Sequence, residues 1–290
     1  MRAAVAFQKL RTVGDAASPP TLATLDVIWP PAANPTFKLQ VLFSADGLDA
    51  KTLQQMHQLV SAWTQLRKGE RLFCAGDRFT ALYAIRSGSC KTVSLSEEGR
   101  DQVAGYHMPG EIIGTDGIGM GSHCCQAIAL EDTEVCSLPF ERIETLSRQN
   151  SQFQHNLHRL LAMEIARERS VMMLLGTLHG EQRLAAFLLD LSHRYQARGY
   201  SSCEFVLRMT RKDIASYLGL KLETVCRLLS RFQREGLLQV HGRAVKLLDL
   251  ASVKDLVDRT CGREGRPGVA VRTIGRAGLP LRRSPVTPRP

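Results

Sequence analysis

The chain has 290 residues, of which 44% are apolar and 23% are charged, as is typical of a soluble protein with two domains and tails. No apolar run approaches the ~20 residues that span a bilayer, and the first residues lack the apolar stretch of a secretory signal, so we expect a cytoplasmic protein with no membrane partner. The net charge of +10 is concentrated late in the chain, because residues 208–246 hold nine Lys and Arg against three acids and residues 262–290 hold seven Arg against one.

The first part of the chain changes character at about residue 39. Residues 1–38 carry Pro19-Pro20 and Pro30-Pro31 with little periodicity, so we predict a disordered N-terminal extension. Residues 47–63 place four apolar side chains on one helical face. We predict a short amphipathic helix there, with a buried face of Leu53, Met56, Leu59 and Val60.

Short apolar stretches that are broken by glycine and proline fill residues 65–140, as in RLFCAGD and ALYAIRSGSCKTVSL. Their spacing is typical of an antiparallel β-barrel or sandwich, and no helix of useful length fits the pattern. We therefore predict a β-roll domain over residues 39–148.

Residues 149–179 are predicted to form one long helix with a coiled-coil seam. The seam has a four-three-four-three spacing and consists of Leu161, Ile165, Glu168, Met172 and Leu175. A second copy of the chain is the simplest partner for it, and the chain's own β domain is the alternative. In a parallel pair the two copies of Glu168 would approach each other, so we predict that this residue weakens dimerisation.

The strongest functional signal lies in residues 209–246, inside a predicted domain of residues 180–256. Thr210 and Asp213 form a capping-box pattern that opens a short helix burying Ile214 and Leu218, and Gly219 makes the turn. A second helix follows over residues 222–235, with a predicted buried face of Leu222, Val225, Leu229 and Phe232. Its predicted outward face is Glu223, Cys226, Arg227, Ser230 and Arg234.

This order of elements is typical of a helix-turn-helix that enters the major groove of DNA, and the local basic charge favours the same polyanion. Glu223 can accept from cytosine N4 and Arg227 can donate to guanine O6 and N7, although a phosphate contact is the alternative for Arg227. Two short strands around residues 241–242 are predicted to form a wing, in which Arg243 and Lys246 can touch phosphate. The predicted DNA-binding set is Glu223, Cys226, Arg227, Thr210, Arg211, Lys221, Ser230 and Arg243.

Over residues 40–255 the chain resembles the FNR branch of the cyclic-AMP receptor/FNR family. The resemblance rests on MTRKDIASYLGLKLETVCRLLSRFQREGLL and on LYAIRSG, GTDGIG and QRLAAFLLDLS. It implies an α+β fold, with an N-terminal antiparallel β-roll of the cyclic-nucleotide-binding jelly-roll kind, a long dimerisation helix and a C-terminal winged helix-turn-helix. It also implies a transcription regulator that binds double-stranded DNA as a homodimer.

The same resemblance implies which bases and which protein are contacted. Glu223 and Arg227 match the residues with which FNR relatives read a palindrome of TTGAT-type half-sites, but Cys226 replaces the family's serine. A thiol is a weaker hydrogen-bond partner than a hydroxyl, so the first bases of the half-site are left open. Residues 116–122 resemble the surface by which relatives touch RNA polymerase, and a simple β-turn is the alternative.

Two effectors of the family do not fit this sequence. Cyclic-nucleotide binders hold the phosphate with an Arg-Ser pair, yet residues 101–141 contain seven acids and neither Lys nor Arg, which argues against cyclic AMP. The FNR-type [4Fe-4S] cluster takes three ligands from an N-terminal cysteine cluster and one from the roll. Residues 1–73 contain no cysteine, and only Cys136 has a counterpart, which argues against this cluster.

The cysteines leave haem or thiol redox chemistry open. Eight irregularly spaced cysteines without an export signal do not form a disulfide framework, so most are expected to be reduced. Cys124 and Cys125 could form a redox-responsive disulfide, or bind haem or a metal with His123 and His107. A loop beside a buried strand is the alternative. Cys136 completes the candidate redox set, we predict no dedicated metal site, and the cofactor stays unknown.

Three classes of function are weighed. A DNA-binding regulator is favoured because only this function uses residues 209–246. A cupin-type metalloenzyme needs clustered ligands, and the roll offers only His107 and His123, so we predict neither enzymatic activity nor catalytic residues. A ligand-binding regulatory subunit for a protein partner would leave the basic helix unused. Residues 257–290 are expected to be a disordered basic tail that adds nonspecific DNA affinity.

Overall fold

The structure is a computed structural model that describes residues 49–95 and 101–258. The predicted N-terminal extension, and residues 259–290 of the predicted tail, lie outside these ranges. The prediction that residues 257 and 258 are disordered is wrong, since they belong to the last helix of the chain's described part. Among the helices of the described ranges, none has the length and apolar character of a bilayer-spanning segment.

The first helix, α1 (Ala50–His57), is shorter than the sequence predicts. Asp49 caps its start by accepting a hydrogen bond from the Thr52 amide at 2.7 Å. The predicted continuation to residue 63 is wrong, because the first strand already starts at Ala62. Leu59 is buried all the same, in the loop between the helix and the strand.

Eight antiparallel strands form the roll, as predicted, in two four-stranded sheets. They are β1 (Ala62–Leu66), β2 (Arg71–Phe73), β3 (Ala81–Ser87), β4 (Cys90–Leu95), β5 (Asp101–His107), β6 (Ile112–Ile113), β7 (Gln126–Ala129) and β8 (Thr133–Pro139). One sheet has the order β1-β8-β3-β6, and the other has the order β2-β7-β4-β5. The second sheet therefore ends in β5, which has a neighbouring strand on one side only.

Side chains that alternate along the strands fill three apolar clusters. Phe73, Ile85 and Val135 belong to a cluster made only of roll residues. The other side of the first sheet is covered by α1, by α2 (Phe140–Gln149) and by the start of the long helix. The third cluster joins residues of the second sheet, such as Val103, to the C-terminal domain.

The long helix, α3 (Ser151–Thr177), forms where the sequence predicts it. Asn150 caps it by accepting a hydrogen bond from the Phe153 amide at 2.8 Å. Its first turns are buried against the roll through Phe153 and Leu157, whereas most of its later residues are exposed or half-buried. After two residues in extended conformation, Leu178 and His179, the chain enters the next helix.

The C-terminal domain contains the predicted helix-turn-helix and wing. Its elements are α4 (Gly180–Gln196), β9 (Glu204–Val206), α5 (Arg211–Leu218), α6 (Leu222–Arg234), β10 (Leu238–His241), β11 (Ala244–Leu247) and α7 (Leu250–Asp258). The wing has three strands instead of the predicted two, because β9 pairs with β11. The α+β fold class is confirmed.

Candidate nucleic-acid interface

The helix-turn-helix is shaped by a capped helix and a glycine turn. At the start of α5, Thr210 Oγ1 accepts from the Asp213 amide at 3.1 Å and the Asp213 carboxylate accepts from the Thr210 amide at 3.0 Å, so the predicted capping box is confirmed. The helix ends at Gly219, whose φ of +61° is a left-handed conformation that glycine adopts without strain. Arg183 of α4 fixes the turn by donating to the Leu218 carbonyl at 3.0 Å.

Helix α6 has one buried and one exposed face. Val225, Leu228, Leu229 and Phe232 are buried. The reading face, which we define as Glu223, Cys226, Arg227 and Ser230, is exposed at three positions and half-buried at Cys226. The predicted burial of Leu222 is wrong, since 41% of this residue is exposed. The buried face starts at Val225, and the first turn of the helix stands clear of the core.

The remaining predicted DNA contacts surround this reading face. Lys221 is exposed at the N-cap of α6, where the positive end of the helix dipole favours an anion. Arg243 is exposed in the wing, and half-buried Arg211 reaches the wing by donating to the Gly242 carbonyl at 3.4 Å. Lys246 makes an ion pair with Glu204 at 2.5 Å, but 42% of its side chain is exposed, so its contact with phosphate stays a prediction.

Two hydroxyl groups of the predicted set already have partners. Thr210 donates to the Asp213 carboxylate at 2.6 Å, and Ser230 donates to the Cys226 carbonyl at 3.0 Å. Both oxygen atoms keep acceptor capacity, but a phosphate offers only acceptors. The amide and guanidinium groups nearby are therefore the better phosphate donors.

The predicted seam of α3 is only partly exposed. Ile165 and Met172 are 52% and 70% exposed and Glu168 is also exposed, while Leu161 and Leu175 are half-buried. Two methionines that the seam pattern missed are exposed as well, Met163 and Met173. The sequence signal for these two methionines is that apolar residues also occur at positions of α3 next to the four-three spacing.

A largely buried carboxylate that the sequence analysis missed joins the roll to the helices. Glu111 accepts from Arg167 of α3 at 3.0 Å, from Arg194 of α4 at 2.8 Å and from Arg198 at 2.5 Å. We call these four residues the Glu111 cluster. Burial opposes ionisation of the carboxyl group, but the three guanidinium groups hold the pKa of Glu111 well below its usual range. Burial lowers the pKa of the neighbouring His107 to about 3, so this imidazole is neutral at pH 7.

The structure places the thiol candidates at two separate sites. The Asp116 carboxylate accepts from the Cys124 amide at 2.8 Å, from the Cys125 thiol at 3.3 Å and from His123 Nδ1 at 3.2 Å. Partial burial and the charge of Asp116 raise the pKa of both thiols, which lowers their thiolate fraction. Cys136 belongs to the apolar cluster between the first sheet and helices α1, α2 and α3, and burial raises the pKa of its thiol to about 11.

The His123 ring is also packed against an aromatic side chain. It stacks on Phe73 with 3.7 Å between the ring centroids. Among the described residues, no group of three or more His, Cys, Asp and Glu side chains is arranged to hold a metal ion.

Comparisons with known proteins agree with this geometry. The family model described as a Crp-like helix-turn-helix domain matches residues 182–256, and the one described as a cyclic nucleotide-binding domain matches residues 63–150. These matches, together with α6, the recognition helix of the helix-turn-helix, whose reading face is exposed, define the class of protein: a DNA-binding transcription regulator rather than an enzyme.

Curated relatives and a solved structure narrow the class to one family. The transcriptional regulatory protein btr of Bordetella pertussis is 44% identical over 211 residues, which are 73% of this chain and 87% of the relative. The fumarate and nitrate reduction regulatory protein of Escherichia coli K12 is 40% identical over 213 residues, which are 73% and 85% of the two chains. FixK2 from Bradyrhizobium japonicum is similar in structure, with a TM-score of 0.62 and 29% identity over 68% of this chain and 97% of FixK2. The chain belongs to the cyclic-AMP receptor/FNR family.

Proposed function

We propose that two copies of this chain bind one palindromic DNA site with TTGAT-type half-sites. The observation that carries the proposal is the two-sided character of α6, in which four buried apolar residues fix the helix while Glu223 and Arg227 stand exposed one turn apart. That spacing suits an acid that accepts from cytosine and a guanidinium that donates to guanine. The DNA partner implies that the protein acts in the cytoplasm.

The affinity for phosphate is proposed to come from the basic groups around the reading face. Arg211 lies in α5, Lys221 at the N-cap of α6, and Arg243 in the turn between β10 and β11. Because the hydroxyl protons of Thr210 and Ser230 are used within the protein, these two residues are proposed to contact DNA as acceptors, for example from a base amino group. Cys226 is half-buried and contributes a weak polar contact, so the bases that it faces are expected to be read less strictly.

Substitution of Arg227 tests the proposal. We expect Arg227→Ala to weaken binding to the palindrome by about 1–3 kcal/mol, or roughly 5- to 150-fold, for each half-site, because each of the two copies loses a bidentate guanine contact. Binding to an unrelated duplex of equal length should change far less, since phosphate contacts remain. Fluorescence anisotropy at one fixed salt concentration measures both affinities.

A matched control removes one arginine far from the recognition helix. Arg148 is an exposed residue of α2 that pairs with Glu144 at 3.4 Å, so Arg148→Ala changes the net charge equally. It should leave the ratio of the two affinities unchanged. An equal loss on both duplexes for Arg227→Ala would show that this residue contacts phosphate only.

The proposed homodimer uses the exposed part of α3. Ile165 and Met172 expose apolar surface that a second copy of the same helix would bury. Glu168 lies between them in the sequence, and we propose that repulsion between its two copies makes dimerisation adjustable. We propose residues 39–148, 149–179 and 180–256 as the sensory, dimerisation and DNA-binding parts.

We further propose that the roll controls DNA binding and that residues 116–122 contact RNA polymerase. Met120 supports the proposed contact with RNA polymerase, because it is 77% exposed in a loop whose base is held by the Asp116 hydrogen bonds. The predictions against cyclic AMP and against an FNR-type cluster stay predictions. A visible absorption spectrum of anaerobically purified protein, together with metal analysis, distinguishes cluster, haem and bare protein.

A further inference from the structure

The DNA-binding domain is docked on the roll of its own chain. Strand β5 is the edge of its sheet, and α5, the first helix of the helix-turn-helix, lies against it. Ser216 of α5 accepts from the Val103 amide at 2.9 Å and donates to the Asp101 carbonyl at 3.3 Å. The serine hydroxyl thus serves two main-chain groups that an edge strand would otherwise leave to solvent.

Two ion pairs extend this contact. Lys91 of β4 binds Asp213 at 2.5 Å, and only 19% and 12% of these side chains are exposed. Hydrogen bonds from Lys91 and Thr210 outweigh partial burial and lower the pKa of Asp213. Arg208 reaches Glu131 of the roll at 2.8 Å. We call the Ser216, Lys91 and Arg208 interactions the docking contact.

The docking contact leaves the reading face open. Glu223, Arg227 and Ser230 are exposed while α5 is held on β5. The docked arrangement therefore does not cover the recognition helix.

The covalent connection between α3 and α4 cannot fix their relative orientation by itself. Only Leu178 and His179 separate the two helices, both in extended conformation, and Arg183 of α4 bridges the junction by donating to the Leu175 carbonyl at 2.7 Å and to the Leu178 carbonyl at 2.9 Å. The Glu111 cluster ties α3 and α4 to the roll, and the docking contact ties α5 to it. The roll thus connects the helix proposed to form the dimer with the helix that precedes the turn.

We propose that Lys91 and Ser216 are positioning residues that set the distance and angle between the two recognition helices of the dimer, and so determine which half-site spacing is accepted. This inference rests on the proposed function. A dimer reads half-sites about one helical turn apart, about 34 Å, only if its recognition helices keep that separation. Inserting one base pair moves a half-site by about 3.4 Å and rotates it by about 34°. A rigid dimer rejects this change, and a loosened one tolerates it.

The test compares two duplexes, the palindrome and the same palindrome with one base pair inserted at its centre. The variant Lys91→Met/Ser216→Ala keeps the aliphatic stem of the lysine and removes both polar contacts. The quantity compared is the dissociation constant for the duplex with the insertion divided by that for the palindrome. We expect this ratio to be about fivefold or more smaller in the double variant than in the wild type, because each lost contact contributes about 1 kcal/mol. The single variants are measured too, so that a folding defect in one does not decide the result.

Arg86→Met is the matched control, since Arg86 makes an ion pair with Glu134 at 3.1 Å on the other sheet of the roll. Its spacing ratio should equal that of the wild type. An unchanged ratio in the double variant, or the same change in the control, would overturn the inference. If the wild type does not prefer the palindrome to an unrelated duplex, the proposed function itself fails.

Hydrogen exchange tests the docking contact without DNA. In Ser216→Ala the Val103 amide loses its acceptor, so its exchange should become at least about fivefold faster, as expected for about 1 kcal/mol of protection. An unchanged exchange rate would show that the contact does not persist in solution.

Discussion

Replacement of Glu111 by glutamine removes the charge that holds three guanidinium groups next to the roll. The carboxylate is 13% exposed and contacts Arg167, Arg194 and Arg198 at 3.0, 2.8 and 2.5 Å. Each attraction is about 6 kcal/mol at an effective dielectric constant of 20, and desolvation of the ions offsets most of it. Loss of one partner from a buried ionic group typically costs about 3–5 kcal/mol, because the remaining charges stay buried without compensation.

Thermal melting followed by circular dichroism measures this cost. For a chain of this size, 1 kcal/mol corresponds to roughly 2–4 °C, so the expected fall in Tm of Glu111→Gln is about 6–20 °C. Glu134→Gln is the control, since Glu134 pairs with Arg86, whose side chain is 47% exposed, and such a pair contributes about 0–1 kcal/mol. A Tm of Glu111→Gln within about 2 °C of the wild type would refute the reasoning that the cluster stabilises the fold.

Three further predictions concern acid, dimerisation and thiols. The pKa of Glu111 is depressed in the folded protein, so the ionised carboxylate stabilises the fold fully above its ordinary pKa of 4.5. This stabilisation is lost as the pH falls below that value toward the pKa of the folded state, so the Tm difference between wild type and Glu111→Gln should shrink in acid. Glu168→Leu should strengthen dimerisation by about tenfold or more in analytical ultracentrifugation, and an unchanged dissociation constant would contradict the proposed repulsion. Diamide should oxidise Cys124 and Cys125 more slowly than free cysteine at pH 7, and thiol counting with a DNA-binding assay shows whether that oxidation regulates the protein.

The local features of the helix-turn-helix could be predicted because they depend on residues close together in the sequence. The Thr210–Asp213 capping box spans three positions, and Gly219 ends α5 because glycine adopts the left-handed conformation without strain. The 3.6-residue period placed Val225, Leu229 and Phe232 on the buried face of α6. It failed at Leu222, because a periodic pattern does not show where the core beneath a helix ends.

The strand pattern predicted the roll, but it did not predict that α5 packs against the edge strand β5. Alternating apolar residues predict antiparallel strands, but the alternation is the same in an edge strand, which has one neighbouring strand, and in a central strand, which has two. The third wing strand, β9, was missed because three residues carry too little periodicity to be recognised.

By itself the sequence determined the long helix α3, most strands of the roll, the capped start of α5 and the exposed face of α6, since capping, turns and periodicity act over a few residues. Only the tertiary structure showed which distant charges meet. Glu111 and Arg194 are 83 positions apart, and Lys91 and Asp213 are 122 positions apart. Such pairs follow from how whole sheets and helices pack, and no local pattern encodes their distance. The kind and order of the domains could therefore be predicted from the sequence, whereas the way in which the domains attach to one another was decided by tertiary packing.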